Sequence, residues 1–344
     1  MMRLPRFRYL APRTLRDAAV FLAESPGQAM LLAGGTDLLP NMKRRQQTPR
    51  TVIGLRNVAE LRASRSENGG LVLGAALTLT QCVRDPRVKA LYPGLWQAAA
   101  QVATPHLRNM GTLGGNLCLD TRCNYYDQSE EWRSAIDYCM KKDGAICWVA
   151  TSSPKCLAVS STDTAPALMA LGASVRLVSE SGERTVRVAD LYASDGIHYL
   201  TRKREEILAD VFLPAASGWR STYWKLRRRG SFDFPVLSVA AAARFSGSNV
   251  EEARIVLGSV ASRPLEAPKA AAALAGKKLD DDAIAEAADV ASELAKPMDN
   301  TDFLLGWRKK MARELVVYAL RELRGDDVRE LRVKIARQSL AEVG

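Results

Sequence analysis

Residues 28–40 read Gln-Ala-Met-Leu-Leu-Ala-Gly-Gly-Thr-Asp-Leu-Leu-Pro, and this stretch sets the class of the fold. A short apolar run, Met30 to Ala33, enters a Gly34-Gly35 turn and leaves into a second apolar segment. Upstream, residues 14–24 space their apolar side chains as an amphipathic helix does. Downstream, Thr51 to Leu55 reads as another short buried strand. Strand, helix and strand in alternation form an α/β pattern.

Working outward, residues 71–76 predict a strand, and 78–83 and 92–102 predict helices. Residues 105–116 read as a Gly-rich loop, and 117–158 show little periodicity. Regular pattern returns with a helix over 163–171, a hairpin turned at Ser181-Gly182 and a strand over 206–213. Ala215-Ala216-Ser217-Gly218 marks a domain boundary. Beyond it, 222–227, 237–245 and 253–260 predict an antiparallel sheet, and 264–275, 280–295 and 303–323 predict alanine-rich helices. The expected division is 1–216, 217–325 and a charged tail, 326–344, read as a helix for a partner.

A chain of 344 residues suggests two or three domains, at roughly 150 residues each. Its 47 % hydrophobic and 25 % charged residues are ordinary globular values, which argues against disorder. No apolar run approaches the ~20 residues of a membrane helix. The start, Met1 to Arg6, lacks the apolar segment of a secretory signal. A cytoplasmic protein with no membrane contact is expected. The net charge of +11 raises nucleic acid as a partner. The basic residues are scattered, however, and no aromatics interleave with Lys43 to Arg45, Arg227 to Arg229 or Arg308 to Lys310. These clusters read as solvated faces, or as patches for an acidic protein, and not as a nucleic-acid site. With only His106 and His198, a three-His metal site is excluded and a His-based dyad is disfavoured.

Two glycine motifs carry the binding chemistry: Leu32 to Asp37 (LAGGTD) and Arg108 to Asn116 (RNMGTLGGN). Paired glycines let the backbone turn with positive φ, and successive N–H groups there form a nest for an anion. Thr36 and Thr112 add hydroxyls. Each pair alone also reads simply as a tight turn. Neither motif is a P-loop or a Gly-x-Gly-x-x-Gly dinucleotide fingerprint.

Five of the six cysteines fall between 118 and 156. Without a secretion signal, such a group suggests metal or redox chemistry more than disulfides. The spacing Cys123-x15-Cys139-x7-Cys147-x8-Cys156 fits neither the usual zinc pairs nor ferredoxin runs. Four soft thiolates suit either a tetrahedral zinc or a cubane. A long aperiodic loop is uncommon unless something orders it. Buried inert thiols are the bland reading, but the neighbours of these four are mainly polar. Cys82 reads as core, and Cys118 as a small packed residue beside the glycine loop.

The order AGGTDL, RNxGTxGGN, TD-x-x-P at 162–166, then Lys225 before Asp233-Phe234-Pro235 resembles the FAD-binding subunits of the xanthine dehydrogenase and carbon monoxide dehydrogenase family. The likeness covers about residues 5–325. It implies an α+β chain: a two-lobed FAD-binding domain of the vanillyl-alcohol-oxidase (PCMH) type, then a C-terminal α/β domain with antiparallel sheet and helices. It implies that Leu31, Leu32, Ala33, Gly34, Gly35, Thr36 and Asp37, with Thr112, Leu113, Gly114, Gly115 and Asn116, cradle the FAD pyrophosphate and ribityl chain. Asp163, Ile207 and Leu208 would lie on the flavin or adenine side, and Lys225 near the flavin ring. His106 stands where related chains often carry Gln, a conservative change because neutral His also donates one hydrogen bond.

Ordinary flavin subunits lack the cysteine-bearing insertion. Residues 117–158, with LCLDTRCNYYD, DYCMKKDGAICW and SSPKC, resemble the extra loop of the 4-hydroxybenzoyl-CoA reductase β subunits, which holds a [4Fe–4S] cluster. The ligands so implied are Cys123, Cys139, Cys147 and Cys156. The resemblance implies an electron-transfer subunit with FAD and the cluster, and no catalytic residue of its own. The molybdenum enzyme would convert 4-hydroxybenzoyl-CoA to benzoyl-CoA in anaerobic aromatic degradation. Implied partners are a molybdopterin-binding large subunit, a small subunit with two [2Fe–2S] clusters, in a dimer of heterotrimers, and ferredoxin as donor. Basic residues near 141–142 or 227–229 would dock an acidic ferredoxin. An ordinary molybdenum hydroxylase subunit and a zinc-stabilised interaction module are the alternatives.

Overall fold

The structure is a computed structural model describing residues 3–337. Its N-terminal part holds two sheets. Strands β1 (Arg8–Leu10), β2 (Ala29–Leu32) and β3 (Thr51–Gly54) form a small parallel sheet in the order β1-β3-β2. The helix Leu15–Ala23 makes the crossover from β1 to β2. Thr14 caps it by accepting the Asp17 N–H, and its apolar stripe buries Leu15, Ala18, Ala19 and Leu22. Strands β4 (Ser64–Glu67), β5 (Gly70–Gly74), β6 (Ser174–Ser179), β7 (Gly182–Arg187) and β8 (Ile207–Leu213) form an antiparallel sheet ordered β4-β5-β8-β6-β7.

The C-terminal part is an antiparallel sheet of β9 (Trp219–Leu226), β10 (Leu237–Ser246), β11 (Asn249–Gly258) and β12 (Leu265–Glu266), in the order β12-β11-β10-β9. Helices Pro268–Leu274, Asp281–Ser292 and Leu305–Arg324 share a core with it. The run Leu-Ser-Val-Ala-Ala-Ala-Ala in β10 shows how the two parts meet. Its Leu237, Val239, Ala241 and Ala243 enter the helix-backed core, while Ala240 and Ala242 join the core of the N-terminal part. Alternate residues of a strand face opposite ways, and alanine lets both neighbours approach closely. The whole is an α+β chain. Among the described residues, no helix is long and apolar enough to cross a membrane.

Three expectations change. The loop over 105–116 contains two helical turns, Pro105–Arg108 and Leu113–Leu117, because Thr104 and Thr112 cap them and Pro105 starts the first. The tail forms a helix, Arg329–Arg337, that packs on its own domain: Ile335 is buried and Arg332 lies 4.3 Å over the Trp224 ring. Residues 338–344 of that tail lie outside the described residues. Finally, Arg308 is no solvated cation. It is wholly buried and donates to the carbonyls of Val236, Ser259 and Met298 at 2.8–3.1 Å.

Candidate functional site

A groove of about 780 Å³ runs between the two glycine motifs and under the segment that joins β9 to β10. Its size falls in the range of cofactor sites. The glycines are there for steric reasons. A Cβ on Gly34 would stand 1.9 Å from the Met110 carbonyl oxygen, so the two motifs touch through backbone. Gly35 has φ +73°, the left-handed region that L side chains avoid. Gly114 donates its N–H to Ala75 at 2.8 Å, where a Cβ would meet the Ala75 side chain at 2.6 Å.

Most of the residues expected at a cofactor line this groove: Leu31 to Asp37, Thr112, Gly114, Gly115, Asn116, Asp163, Ile207 and Leu208. Leu113 does not, being fully buried in the core behind its turn. The Thr112 hydroxyl accepts the Gly115 N–H at 3.1 Å, so it shapes the turn. Asn116 Oδ1 accepts from the Thr162 hydroxyl, the Thr164 hydroxyl and the Thr164 N–H at 2.7–3.0 Å. These bonds tie the second glycine motif to the TD-x-x-P helix. Lys225 stands behind the wall, not in it. Its wholly buried Nζ meets Asp163 at 3.0 Å and donates to the Gln101 carbonyl at 3.0 Å. The Tyr223 hydroxyl donates to Asp163 at 2.7 Å. Burial raises the Asp163 carboxyl and lowers the Lys225 ammonium. The contact geometry holds the pair together against that opposition. His106 is exposed and stands outside the groove.

Sequence reasoning missed several residues here. Arg122, inside the cysteine-bearing insertion, pairs with Asp37 of the first glycine motif and with Asp127 at 3.2 Å. Burial raises the Asp37 carboxyl while Arg122 opposes it. The Arg122 guanidinium also lies 4.5 Å over the ring of Phe234, which lines the groove from the C-terminal part. Asp120, Cys118, Tyr199 and the cations Arg202, Arg204 and Arg229 complete the walls. In LCLDTRC only the cysteines carry an obvious sequence signal. Arg122 acquires meaning through Asp37, 85 positions away, and Asp120 through Lys141 and Gln47, 21 and 73 positions away. Close backbone approach, turns bearing free N–H groups and wall cations together suit a dinucleotide diphosphate.

The insertion packs a small buried core of its own beside the groove. Cys123, Cys139 and Cys156 pack together with Tyr126 and Ala158, and Cys147 is equally buried. Each sulfur acts electrostatically on at least one other: Cys123 feels Cys139 and Cys156, and Cys156 feels Cys139 and Cys147. Burial pushes the Cys123 thiol up to about 12 and Cys156 to about 11. Around Cys139 the backbone is strained, with Asp137, Tyr138 and Asp143 at φ of 58–67°. Among the described residues, no three Cys, His or acidic groups are close enough to hold a single metal ion. Cys82 is core, its thiol raised to about 12 by burial, and Cys118 is half-buried on the groove wall.

The docking expectation for Lys141 fails. Its side chain is only 6 % exposed, because Asp120, Thr121 and the Gly196 carbonyl hold it inside. Lys142 is half-buried and paired with Asp143 at 3.1 Å. In the other candidate patch, Arg228 pairs with Asp302 and Arg229 with Asp233.

Comparison with known proteins agrees with this geometry. Residues 5–216 match the family profile described as the FAD binding domain in molybdopterin dehydrogenase, and 221–323 match the CO dehydrogenase flavoprotein C-terminal domain. The carbon monoxide dehydrogenase medium chain of Hydrogenophaga pseudoflava is 29 % identical over 320 residues, 92 % of this chain and 96 % of that one. The aldehyde oxidoreductase FAD-binding subunit of Escherichia coli is 33 % identical over 270 residues, covering 75 % and 82 %. Among solved structures, the Hydrogenophaga carbon monoxide dehydrogenase superposes with a TM-score of 0.77 at 29 % identity, over 94 % of this chain and 98 % of that one. Quinoline 2-oxidoreductase from Pseudomonas putida 86 gives 0.74 at 27 % identity, over 94 % and 98 %.

Proposed function

This chain belongs to the family of FAD-binding domains of molybdopterin dehydrogenases, and from that premise we propose that it is the flavin-bearing electron-transfer subunit of a multi-subunit molybdenum enzyme. Gly34 and Gly35 would turn their N–H groups to the FAD diphosphate, while Gly114 and Gly115, whose N–H groups are held by Ala75 and Thr112, let the second motif approach it closely. Arg202, Arg204 and Arg229 offset its charge. Asp163, braced by Tyr223 and Lys225, fixes the far wall, and Phe234 with Arg122 covers the groove against water. Bound FAD supplies a carrier that takes and gives electrons singly or in pairs. The medium-chain relatives support assembly with a large and a small subunit; on this reading the large one binds molybdopterin and the small one carries two [2Fe–2S] clusters.

The finer reading is that Cys123, Cys139, Cys147 and Cys156 hold a [4Fe–4S] cluster, a one-electron carrier, as in 4-hydroxybenzoyl-CoA reductases. On this reading the complex removes the phenolic hydroxyl of 4-hydroxybenzoyl-CoA on the large subunit, with reduced ferredoxin as donor. One observation carries it: Cys123, Cys139 and Cys156 pack in one buried cluster, Cys147 is buried as well, and Cys156 lies against Gly196 beside the groove. The Arg227 to Arg229 segment is the remaining candidate for ferredoxin docking. A second reading, an ordinary hydroxylase subunit holding FAD alone, is favoured by the activities of relatives such as the nicotine 6-hydroxylase medium subunit of Paenarthrobacter nicotinovorans.

Metal, sulfide and flavin content after anaerobic purification decides between them. The finer reading expects FAD with about four iron and four sulfide per chain, lost on Cys147→Ser. FAD without iron assigns the ordinary hydroxylase role. Zinc without flavin overturns both.

A further inference from the structure

Two side chains on the groove wall carry a buried polar atom with no hydrogen-bond partner among the described residues: Arg202, at Nε, and Ser161, at its hydroxyl. Arg202 is one of the cations set against the diphosphate above. Ser161 lies outside both glycine motifs and is only 2 % exposed. A buried hydroxyl left unpaired is costly, and folded proteins satisfy nearly all of them.

The chain around Ser161 is held on every side. Val159 exchanges both backbone hydrogen bonds with Arg122, at 2.7 and 2.8 Å. Ser160 donates its N–H to the Ala261 carbonyl of the C-terminal part at 3.0 Å. The Thr162 and Thr164 hydroxyls donate to Asn116, and the Asp163 carboxylate takes Tyr223 and Lys225. A segment tied in this way presents its side chains from a set position.

The same contacts place Ser161 beside the aromatic part of the groove. Three aromatic side chains line it, Tyr199, Phe232 and Phe234. The Arg122 guanidinium lies over the Phe234 ring, and the Arg122 backbone pairs with Val159, two residues before Ser161. The Tyr199 hydroxyl donates to the carbonyl of Cys118, two residues past Asn116. By contrast, the wall supplied by Leu22, Pro26 and Met30 is aliphatic. Aromatic walls suit the flat, three-ring flavin, which packs by offset stacking or edge contact.

We propose that Ser161 hydrogen-bonds the flavin half of bound FAD, at its ring or ribityl chain, and is a further cofactor-binding residue of this subunit. This rests on the FAD reading above. A serine hydroxyl both donates and accepts, so a ring carbonyl, a ring N–H and a ribityl hydroxyl are all suitable partners. The FAD-free fold bears the cost of the unpaired group, and FAD relieves it. The hydroxyl therefore contributes to affinity and not to the stability of the fold alone.

The test removes FAD from the full chain and adds it back, to the unaltered protein and to Ser161→Ala. Quenching of flavin fluorescence reads FAD affinity, ADP as competitor reads the adenosine half, and thermal melting of the FAD-free chains reads stability. Ser161→Ala is expected to bind FAD about five- to tenfold more weakly. It should bind ADP as the unaltered protein does, and melt no lower without FAD. Unchanged FAD affinity overturns the proposal while leaving the FAD reading intact. An equal loss toward ADP assigns the hydroxyl to the adenosine half and overturns it as well. A lower melting temperature of the FAD-free variant means that the hydroxyl is paired within the fold, which also overturns it. An unaltered protein that binds no FAD overturns both readings.

Discussion

Replacing Lys225 with Met strands the Asp163 carboxylate in the protein interior, and the consequence can be worked through. Both side chains are buried, 3.0 Å apart, with Asp163 at the back of the groove. Removing one partner of such a pair costs about 3–5 kcal/mol. Asp163 keeps the Tyr223 hydroxyl, which places the loss near the lower bound, while the Gln101 carbonyl loses its donor. Burial already holds the Asp163 carboxyl above the usual carboxylate range despite Lys225. Without the ammonium it rises further. A carboxyl whose folded pKa exceeds its unfolded value of about 3.9 binds its proton more tightly when folded. Stability is therefore retained at low pH and lost as pH rises through the folded value. Lys225→Met is expected to lose about 3 kcal/mol at alkaline pH and less in mild acid. Asp163→Asn in the same chain recovers most of the loss, because an amide needs no counter-charge. Urea denaturation followed by circular dichroism, at about pH 5 and about pH 8, measures all three chains. A single variant as stable as the parent at pH 8, or a double variant less stable than the single, refutes the reasoning.

Other expectations follow from the same geometry. Gly34→Ala puts a methyl 1.9 Å from the Met110 carbonyl and must part the two motifs. FAD binding, followed by quenching of flavin fluorescence, should weaken at least about tenfold, and an unchanged affinity would contradict the two-sided clamp. In the cluster-free chain, Cys123 and Cys156 are held protonated by burial, at about 12 and about 11. Iodoacetamide should label them at least about a hundredfold more slowly than a free thiol of pKa about 8.5 at pH 8, and rapidly once the chain is unfolded. Arg308→Met removes the donors from three buried carbonyls and should cost about 3 kcal/mol or more by thermal melting, with Arg308→Lys recovering part. The Asp326 carboxyl is held at about 2 by hydrogen bonds from Arg324 and Arg321. The stabilisation it supplies is present above the ordinary carboxylate pKa and vanishes as pH falls to about 2. Asp326→Asn should flatten that acid limb slightly, and added salt should shrink the difference, because the three groups sit part-buried at the surface within reach of solvent.

Local patterns in the chain decided its elements. Thr14 and the spacing of Leu15, Ala18, Ala19 and Leu22 make a helix in any context that offers an apolar surface. The alternation along β10 and β11 makes a sheet, and the two glycine motifs announce backbone that must turn or approach closely. The four spaced cysteines stand out in a polar loop, and all four are buried in the structure. Local pattern fails where meaning depends on a distant partner. Lys141 and Arg308 look like surface charges in their basic runs, yet both are buried by acceptors brought from elsewhere in the fold. The tail helix looks like a partner's ligand because the Trp224 ring it packs on lies remote in sequence. The sequence by itself determined which segments coil, extend and turn, since those preferences act over a few residues. Only the tertiary structure decided which charges face water, that Asp37 meets Arg122, and that Cys156 lies one glycine away from the flavin groove, because those contacts exist only once distant segments are packed.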